Sequence, residues 1–291
     1  MYSPEKTEAE NDQIAAMLYE INNYMVYVLK EKLGWHTVGE TEMSSGGGHV
    51  VVRFEYEGRR MVFRVPRYAV EQLKRTMLAY RHLGHLGVMP EKIYHDGKCI
   101  IESHVDGLPI SPQVSNSLLV DLATKLTKMH AMPAQGFGPL DFDFQGAYDD
   151  VGAYAQTRSP IVIDRSEDDL SSAQASILGD ALAQVEAIPS DLLSAKTYVG
   201  HGDLWRNNIL VDQDTFKIID WDRIGAYPIE HDLAFLMDAN LSATQREIFF
   251  ENYGHVVNFG LLKWFGKRKI LRNSLLRLPH KIQRIQEIDL I

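Results

Sequence analysis

The stretch that most restricts how this chain can fold is residues 201–222, HGDLWRNNILVDQDTFKIIDWD. An Asp stands two residues after a His, an Asn five residues after that Asp, and an apolar strand then ends on another Asp. Ile209, Leu210 and Val211 form a short apolar run, Asp212–Asp214 supply turn residues, and Phe216, Ile218 and Ile219 begin a second run. That order predicts a strand–turn–strand hairpin, which returns Asp220 to the neighbourhood of Asn208. Phosphoryl transfer to a hydroxyl needs one carboxylate to take the hydroxyl proton, and an amide oxygen and a second carboxylate to hold Mg²⁺. Asp203, Asn208 and Asp220 can fill those roles, since Mg²⁺ takes few protein ligands and completes its shell with phosphate and water. The plainer reading makes Asp203 and Asn208 caps of a helix or turn. It accounts for either residue alone, but for neither the spacing nor the second Asp.

These residues resemble the aminoglycoside phosphotransferase and choline kinase-like family of small-molecule kinases, relatives of the protein kinases. That family carries H-G-D-x-x-x-x-N before an apolar residue, then I-D before an aromatic residue or Leu, then D-[LM]-A. The matching pieces are His201-Gly202-Asp203…Asn208-Ile209, Ile218-Ile219-Asp220-Trp221 and Asp232-Leu233-Ala234. The resemblance implies an α+β, bilobal protein-kinase-like fold, with a small antiparallel β-sheet N-lobe carrying a helix and a larger, mainly helical C-lobe. It implies Asp203 as catalytic base, Asn208 and Asp220 as Mg²⁺ ligands, and ATP or GTP as phosphoryl donor. His201 and Asp232 become structural residues, Asp232 a buried acid that steadies the catalytic loop.

Upstream, Ile14, Met17, Leu18, Ile21, Met25, Val28 and Leu29 recur at helical spacing and predict a helix over 8–33, stopped at Gly34 and packed on the small lobe. His49–Tyr56, a Glu57-Gly58 turn and Met61–Val65 read as a hairpin. Before it lie Ser45, Gly46, Gly47 and Gly48. Such a loop can bring free N–H groups close to a phosphate, or it can be only a flexible connection. On the next strand the resemblance expects a Lys that meets the nucleotide phosphates, and position 64 is Arg. Some macrolide phosphotransferases have a similar Arg-[IV]-Pro-Arg strand, and a guanidinium grips phosphate in bidentate fashion, so Arg64 is the phosphate-binding candidate. The expected Glu partner is displaced: the only acid on the helix Val70–Leu83 is Glu71, a first-turn charge that the helix dipole alone would favour. Residues 100–107 resemble the family's hinge, which implies Glu102 and His104 beside the base of the nucleotide; an ordinary strand exit is the alternative. The expected organisation is an N-terminal helical extension over 1–34, a nucleotide-binding lobe over 35–104, and a catalytic and substrate-binding lobe over 105–291.

In that last segment Leu118, Leu119, Leu122, Leu126 and Met129 predict a helix ending at His130, which the resemblance makes structural. Residues 140–170 read as an acidic, loop-rich stretch, and 241–284 as two or three helices divided by Gly254, Gly260, Gly266 and Pro279. Between Asn252 and Gln286 stand Lys263, Lys267, Arg268, Lys269, Arg272, Arg277, Lys281 and Arg284 and no acid, so the rest of a chain of net charge −9 carries −17. Those cations read either as a solvated helix face or as a site for an anion, and the acidic whole argues against nucleic-acid binding. A polycationic aminoglycoside needs acidic walls, and Asp222, Glu230 and Asp238 are the substrate-binding candidates. The substrate stays open between an antibiotic, aminoglycoside or macrolide-like, and a metabolite alcohol such as choline, thiamine, a ketosamine or a sugar. A nucleotide-binding pseudokinase module is the further alternative, suggested by Arg64 and the displaced Glu71. One cysteine, Cys99, excludes an internal disulfide, and no apolar run approaches the roughly 20 residues that span a bilayer. The expectation is a cytoplasmic protein, a monomer or weak dimer, acting on a small-molecule hydroxyl without a membrane.

Overall fold

The structure is a computed structural model and describes residues 8–36, 39, 41–46, 48–67, 69–156, 161, 170–273 and 276–289. The chain divides into two units: the chain through Leu73 with Glu91–His104, and Lys74–Pro90 with Val105–Ile291. The first is a sheet faced by a helix. Helix α1 (Glu8–Tyr27) runs into a π-helical turn over Val28–Lys32, where the Leu33 N–H donates to the Val28 carbonyl at 3.2 Å, and Gly34 at φ +69° ends it. The expected continuous helix thus widens in its last turn, which brings Val28 and Leu29 side by side into the core. With Met25 they pack on Val52, Phe54, Met61, Phe63, Cys99 and Ile101.

Those residues belong to a five-stranded antiparallel sheet of β1 (Thr41–Gly46), β2 (His49–Tyr56), β3 (Arg59–Pro66), β4 (Lys92–His95) and β5 (Ile100–Ser103), in the order β1-β2-β3-β5-β4. Alternate residues of β2, from Val50 to Phe54, are buried, as the two-residue period of a strand requires. Glu57 and Gly58 both have positive φ, 51° and 73°, so the β2–β3 hairpin closes in the primed turn that matches strand twist. Ser45 and Gly46, expected in a loop, instead belong to β1, and Gly46 pairs with His49. The outer edge of β2 needs partners for its backbone groups, and β1 supplies them, with Gly48 in the turn before β2. Gly47 lies outside the described residues.

The second unit is mainly helical. Helix α2 (Val70–Leu83) straddles the division of the chain, and α3 (Asn116–His130), capped by the Ser115 hydroxyl on the Leu118 N–H at 3.3 Å, buries the apolar stripe its spacing predicts. Around α3 lie two small sheets. One joins β6 (Leu108–Pro109), β10 (Ile209–Asp212) and β11 (Thr215–Ile218). The other runs β8 (Gly146–Tyr148), β7 (Phe137–Leu140), β12 (Gly225–Tyr227), β9 (Tyr198–Gly200). Strand β8 and helix α4 (Val151–Gln156) thus occupy part of the stretch expected to be loop, whereas 157–160 and 162–169 lie outside the described residues. Helices α5 (Ser172–Glu186), α6 (Ser190–Leu193), α7 (Ile229–Leu233), α8 (Phe235–Asp238), α9 (Ala243–Asn252), α10 (Phe259–Arg272) and α11 (Leu278–Asp289) complete the unit.

Gly260 and Gly266 sit inside α10 rather than between helices. At Gly266 a Cβ would come 3.0 Å from the Met237 side chain and 3.2 Å from that of Ile288, so the missing side chain lets α8 and α11 approach. The basic segment is a solvated face only in part, with Arg272 and Arg277 exposed. Lys267, Arg268 and Lys281 are buried; Lys267 donates to Gln184 at 2.7 Å and pairs with Asp289 at 2.5 Å, and Lys281 donates to the Leu271 carbonyl at 2.8 Å. The aliphatic stems of Lys267 and Lys281 pack while their ammonium groups find acceptors. Among the described residues no helix is long and apolar enough to cross a membrane.

Candidate active site

Strand β9 leads into His201-Gly202-Asp203, and a buried acid behind the turn sets its path. The Asp232 carboxylate, on α7, accepts the His201 N–H at 2.6 Å and the Gly202 N–H at 3.0 Å. Gly202 has φ +80°, and a Cβ there would lie 2.1 Å from the Arg223 carbonyl oxygen, so no other residue fits this bend. Burial alone would raise the Asp232 carboxyl, yet hydrogen bonds and charge from His130 and His231 hold it well below the usual carboxylate range. His130, at the end of α3, presents Nε2 to Asp232 at 3.3 Å and Nδ1 to the Tyr253 hydroxyl at 2.6 Å. A line of buried polar groups thus ties α3, α7 and the segment after α9 to the turn.

His201 is buried, with its ring 4.6 Å from that of Trp221. Its Nε2 faces the Ile219 carbonyl at 2.9 Å, and its Nδ1 faces the Asp203 N–H at 3.2 Å. A carbonyl only accepts and an amide only donates, so the proton must sit on Nε2. Burial lowers the His201 pKa against the pull of Asp232, which agrees with this neutral tautomer. The residue therefore joins the Asp203 turn to the segment that carries Asp220.

The expected hairpin forms. Ile209 pairs with Ile218 and Asp212 with Thr215, and the Ile219 N–H donates to the Asn208 carbonyl at 2.9 Å. Asn208 and Asp220 consequently flank the open end of one hairpin. The Asn208 amide nitrogen donates to the Asp203 carbonyl at 2.8 Å, which turns its side-chain oxygen to the other side. Asp220 adopts φ 66°, ψ 56°, a left-handed conformation that a non-glycine residue holds only where its surroundings impose it. Asp222 follows at the head of a 3₁₀ turn, mostly buried, its backbone carbonyl accepting from Arg75 at 3.4 Å. Carboxylate oxygens of Asp220 and Asp222 lie within 4.8 Å of one another. Two like charges so close favour a divalent cation between them, and an amide oxygen with two carboxylates is an all-oxygen set of the kind Mg²⁺ takes.

Asp203 itself is partly exposed. Its Oδ1 accepts the Trp205 indole N–H at 2.5 Å, and its Oδ2 lies 3.9 Å from Arg223 Nε. Neither contact was legible from the motif, although both partners lie within or beside it. Glu230 is buried, its Oε1 accepting the Asn258 N–H at 2.8 Å, and burial raises its pKa. It thereby holds the start of α10. The side chain of Asp238 lies outside the described residues.

The other sequence candidates belong to the first unit. Gly48 packs against Gln72, whose amide would stand 2.6 Å from a Cβ there. Arg64, on β3, pairs with Glu102, on β5, at 3.1 Å, both side chains nearly buried. Val62 stands directly opposite Glu102, so Arg64 and Glu102 are diagonal neighbours on one sheet face. Glu102 thus gives Arg64 an acidic partner from within the sheet. His104 donates its N–H to the Arg60 carbonyl at 2.9 Å, and Ser103 donates its N–H to the Glu91 carbonyl at 2.8 Å.

Comparison with known proteins places the chain's family and fold. The model of the family described as "Phosphotransferase enzyme family" matches residues 40–265. No curated protein sequence matches the chain. Among solved structures, the GDP complex of aminoglycoside 2'-phosphotransferase-IIIa superposes with a TM-score of 0.63 at 14% identity, covering 92% of this chain and 98% of that one. A thermostable mutant of aminoglycoside phosphotransferase APH(4)-Ia gives 0.60 at 18% identity, covering 89% and 96%. Macrolide 2'-phosphotransferase MphH from Brachybacterium faecium gives 0.55 at 16% identity, covering 90% and 96%.

Proposed function

Since the chain belongs to the phosphotransferase enzyme family and is a small-molecule kinase by that membership, we propose that it moves the γ-phosphoryl group of ATP or GTP, with Mg²⁺, onto a hydroxyl of an antibiotic of aminoglycoside or macrolide type. The observation that carries this reading is the arrangement of Asp203, Asn208 and Asp220 around one turn and one hairpin. Asp203 Oδ2 takes the proton of the acceptor hydroxyl as its oxygen bonds to phosphorus, and the bond from phosphorus to the bridging oxygen of the nucleotide breaks. Asn208 and Asp220, with Asp222 beside them, would hold Mg²⁺, which neutralises charge on the phosphates when bound. Arg64, oriented by Glu102, and the backbone at Ser45, Gly46, Gly47 and Gly48 would hold the phosphates, with the His104 carbonyl toward the base. Solved members of this fold carry ADP with spectinomycin, and ADP with hygromycin B, which supports a nucleotide and a small acceptor here.

A second reading, a metabolite kinase, draws on one observation. The acids that should greet a polycation, Asp222 and Glu230, are 7% and 5% exposed, whereas the Arg223 side chain is 63% exposed beside Asp203. A nucleotide-consumption screen with ATP and GTP against aminoglycosides, macrolides, choline, thiamine and ketosamines separates the two. For the accepted substrate, Asp203→Asn should lower turnover by about 10²-fold or more while nucleotide affinity stays within about twofold. Undiminished turnover in that variant would sink the mechanism.

A further inference from the structure

The basic helix α10 has a cation aimed at the catalytic turn. Lys269 donates its ammonium to the backbone carbonyl of Leu204 and stands 4.6 Å over the ring of Trp205. Trp205 in turn donates its indole N–H to Asp203 Oδ1 at 2.5 Å. We propose that Trp205 and Lys269 are positioning residues for the phosphotransfer proposed above: together they fix which oxygen of Asp203 receives the hydroxyl proton.

The backbone of Asp203 is held at both ends, by His201 Nδ1 on its N–H and by the Asn208 amide on its carbonyl. Neither bond restrains rotation of the carboxylate. That rotation is stopped by Trp205, because an indole N–H can only donate and so binds one oxygen in its acceptor form. Oδ1 is thereby committed, and Oδ2, 3.9 Å from Arg223 Nε, is left as the proton acceptor. The indole needs holding too, since Trp205 is only partly buried. A cation over the face of a Trp is attracted by the ring quadrupole and fixes the plane of the ring. Lys269 supplies it from α10 and, through the Leu204 carbonyl, grips the same turn by its backbone. This gives one member of the basic C-terminal segment a task in the chemistry, while its neighbours Lys267 and Lys263 serve Gln184 and Asp289.

The test has two readouts. In the first, protein labelled with ¹⁵N at its four tryptophans gives few indole signals, and that of Trp205 is identified by its loss in Trp205→Phe. It should move in Asp203→Asn and in Lys269→Met, and stay in place in Lys263→Met. An indole signal indifferent to Asp203→Asn and to Lys269→Met overturns the proposal, whether or not an acceptor is known. In the second, with Mg·ATP or Mg·GTP and the acceptor found in the screen, Trp205→Phe keeps the ring and loses the donor. It should lower kcat about tenfold with KM for nucleotide within about twofold. Lys269→Met should lower kcat less and Lys269→Arg should restore it. In an Asp203→Ala background Trp205→Phe should cost nothing more, since the carboxylate it aims is gone. Full loss in both backgrounds would mark Trp205 as merely structural and overturn the proposal. If Asp203→Asn is inactive but Trp205→Phe is fully active, this inference fails and the proposed function stands; if Asp203→Asn is fully active, the proposed function fails.

Discussion

A carboxylate serves as a base only when its lone pair is aimed, and the aiming of Asp203, the proposed base, is divided among residues of very different visibility. His201 and Asn208 hold its backbone from within the motif, whereas Trp205 and Arg223 meet its two oxygens. Arg268 poses the opposite problem. It is 7% exposed and lies over the Trp264 ring at 5.6 Å, yet its Nη1 and Nη2 meet no hydrogen-bond partner among the described residues. A buried cation without an acceptor costs more than the ring returns. Arg268→Met, similar in length and apolar, should therefore raise stability by about 1 kcal/mol or more in urea unfolding. A loss of stability would show that the guanidinium has a partner in the folded protein that its surroundings do not reveal.

Elements act here as carriers that bring distant residues to one turn. Helix α3 delivers His130, α7 delivers Asp232, and the segment after α9 delivers Tyr253, so that three elements converge behind His201 and Gly202. The line is buried, and a gap in it cannot be filled by bulk water. Tyr253→Phe removes one hydroxyl and leaves His130 Nδ1 facing a ring edge, which should cost about 1–3 kcal/mol of stability. Chemical denaturation measures it, and an unchanged midpoint would mean that the line carries no weight. The β10–β11 hairpin was legible because apolar runs and turn residues declare a strand pair locally. The pairing of Arg64 with Glu102 was not, because the match across β3 and β5 depends on strand register that no local pattern states. Nor did local pattern separate the glycines that end helices from Gly266, which serves packing between helices.

For the molecule as a whole, the buried titratable groups set the pH range of the fold. Burial lowers the His201 pKa, so below about pH 6.5 the unfolded chain binds a proton that the folded chain refuses. Its contribution is complete above that pH and is lost as pH falls. Asp232, held well below its ordinary pKa, adds a further loss only below about pH 4. The thermal midpoint should thus fall between pH 7.5 and 5.5, and His201→Gln should flatten that fall while lowering the midpoint at pH 7.5. A wild-type midpoint constant across this range would refute the burial argument. The sequence by itself determined the family of the chain, because His201, Asp203, Asn208 and Asp220 lie within one short segment whose spacing marks it. It also determined the helix stripes and hairpins, whose periods are local. Only the tertiary structure decided that Lys267, Arg268 and Lys281 of the basic segment turn inward, that Glu230 supports α10, and that Lys269 reaches the turn carrying Asp203. Those outcomes depend on which side chains meet across long stretches of chain, and charge along a sequence does not say whether a lysine faces water or a carbonyl.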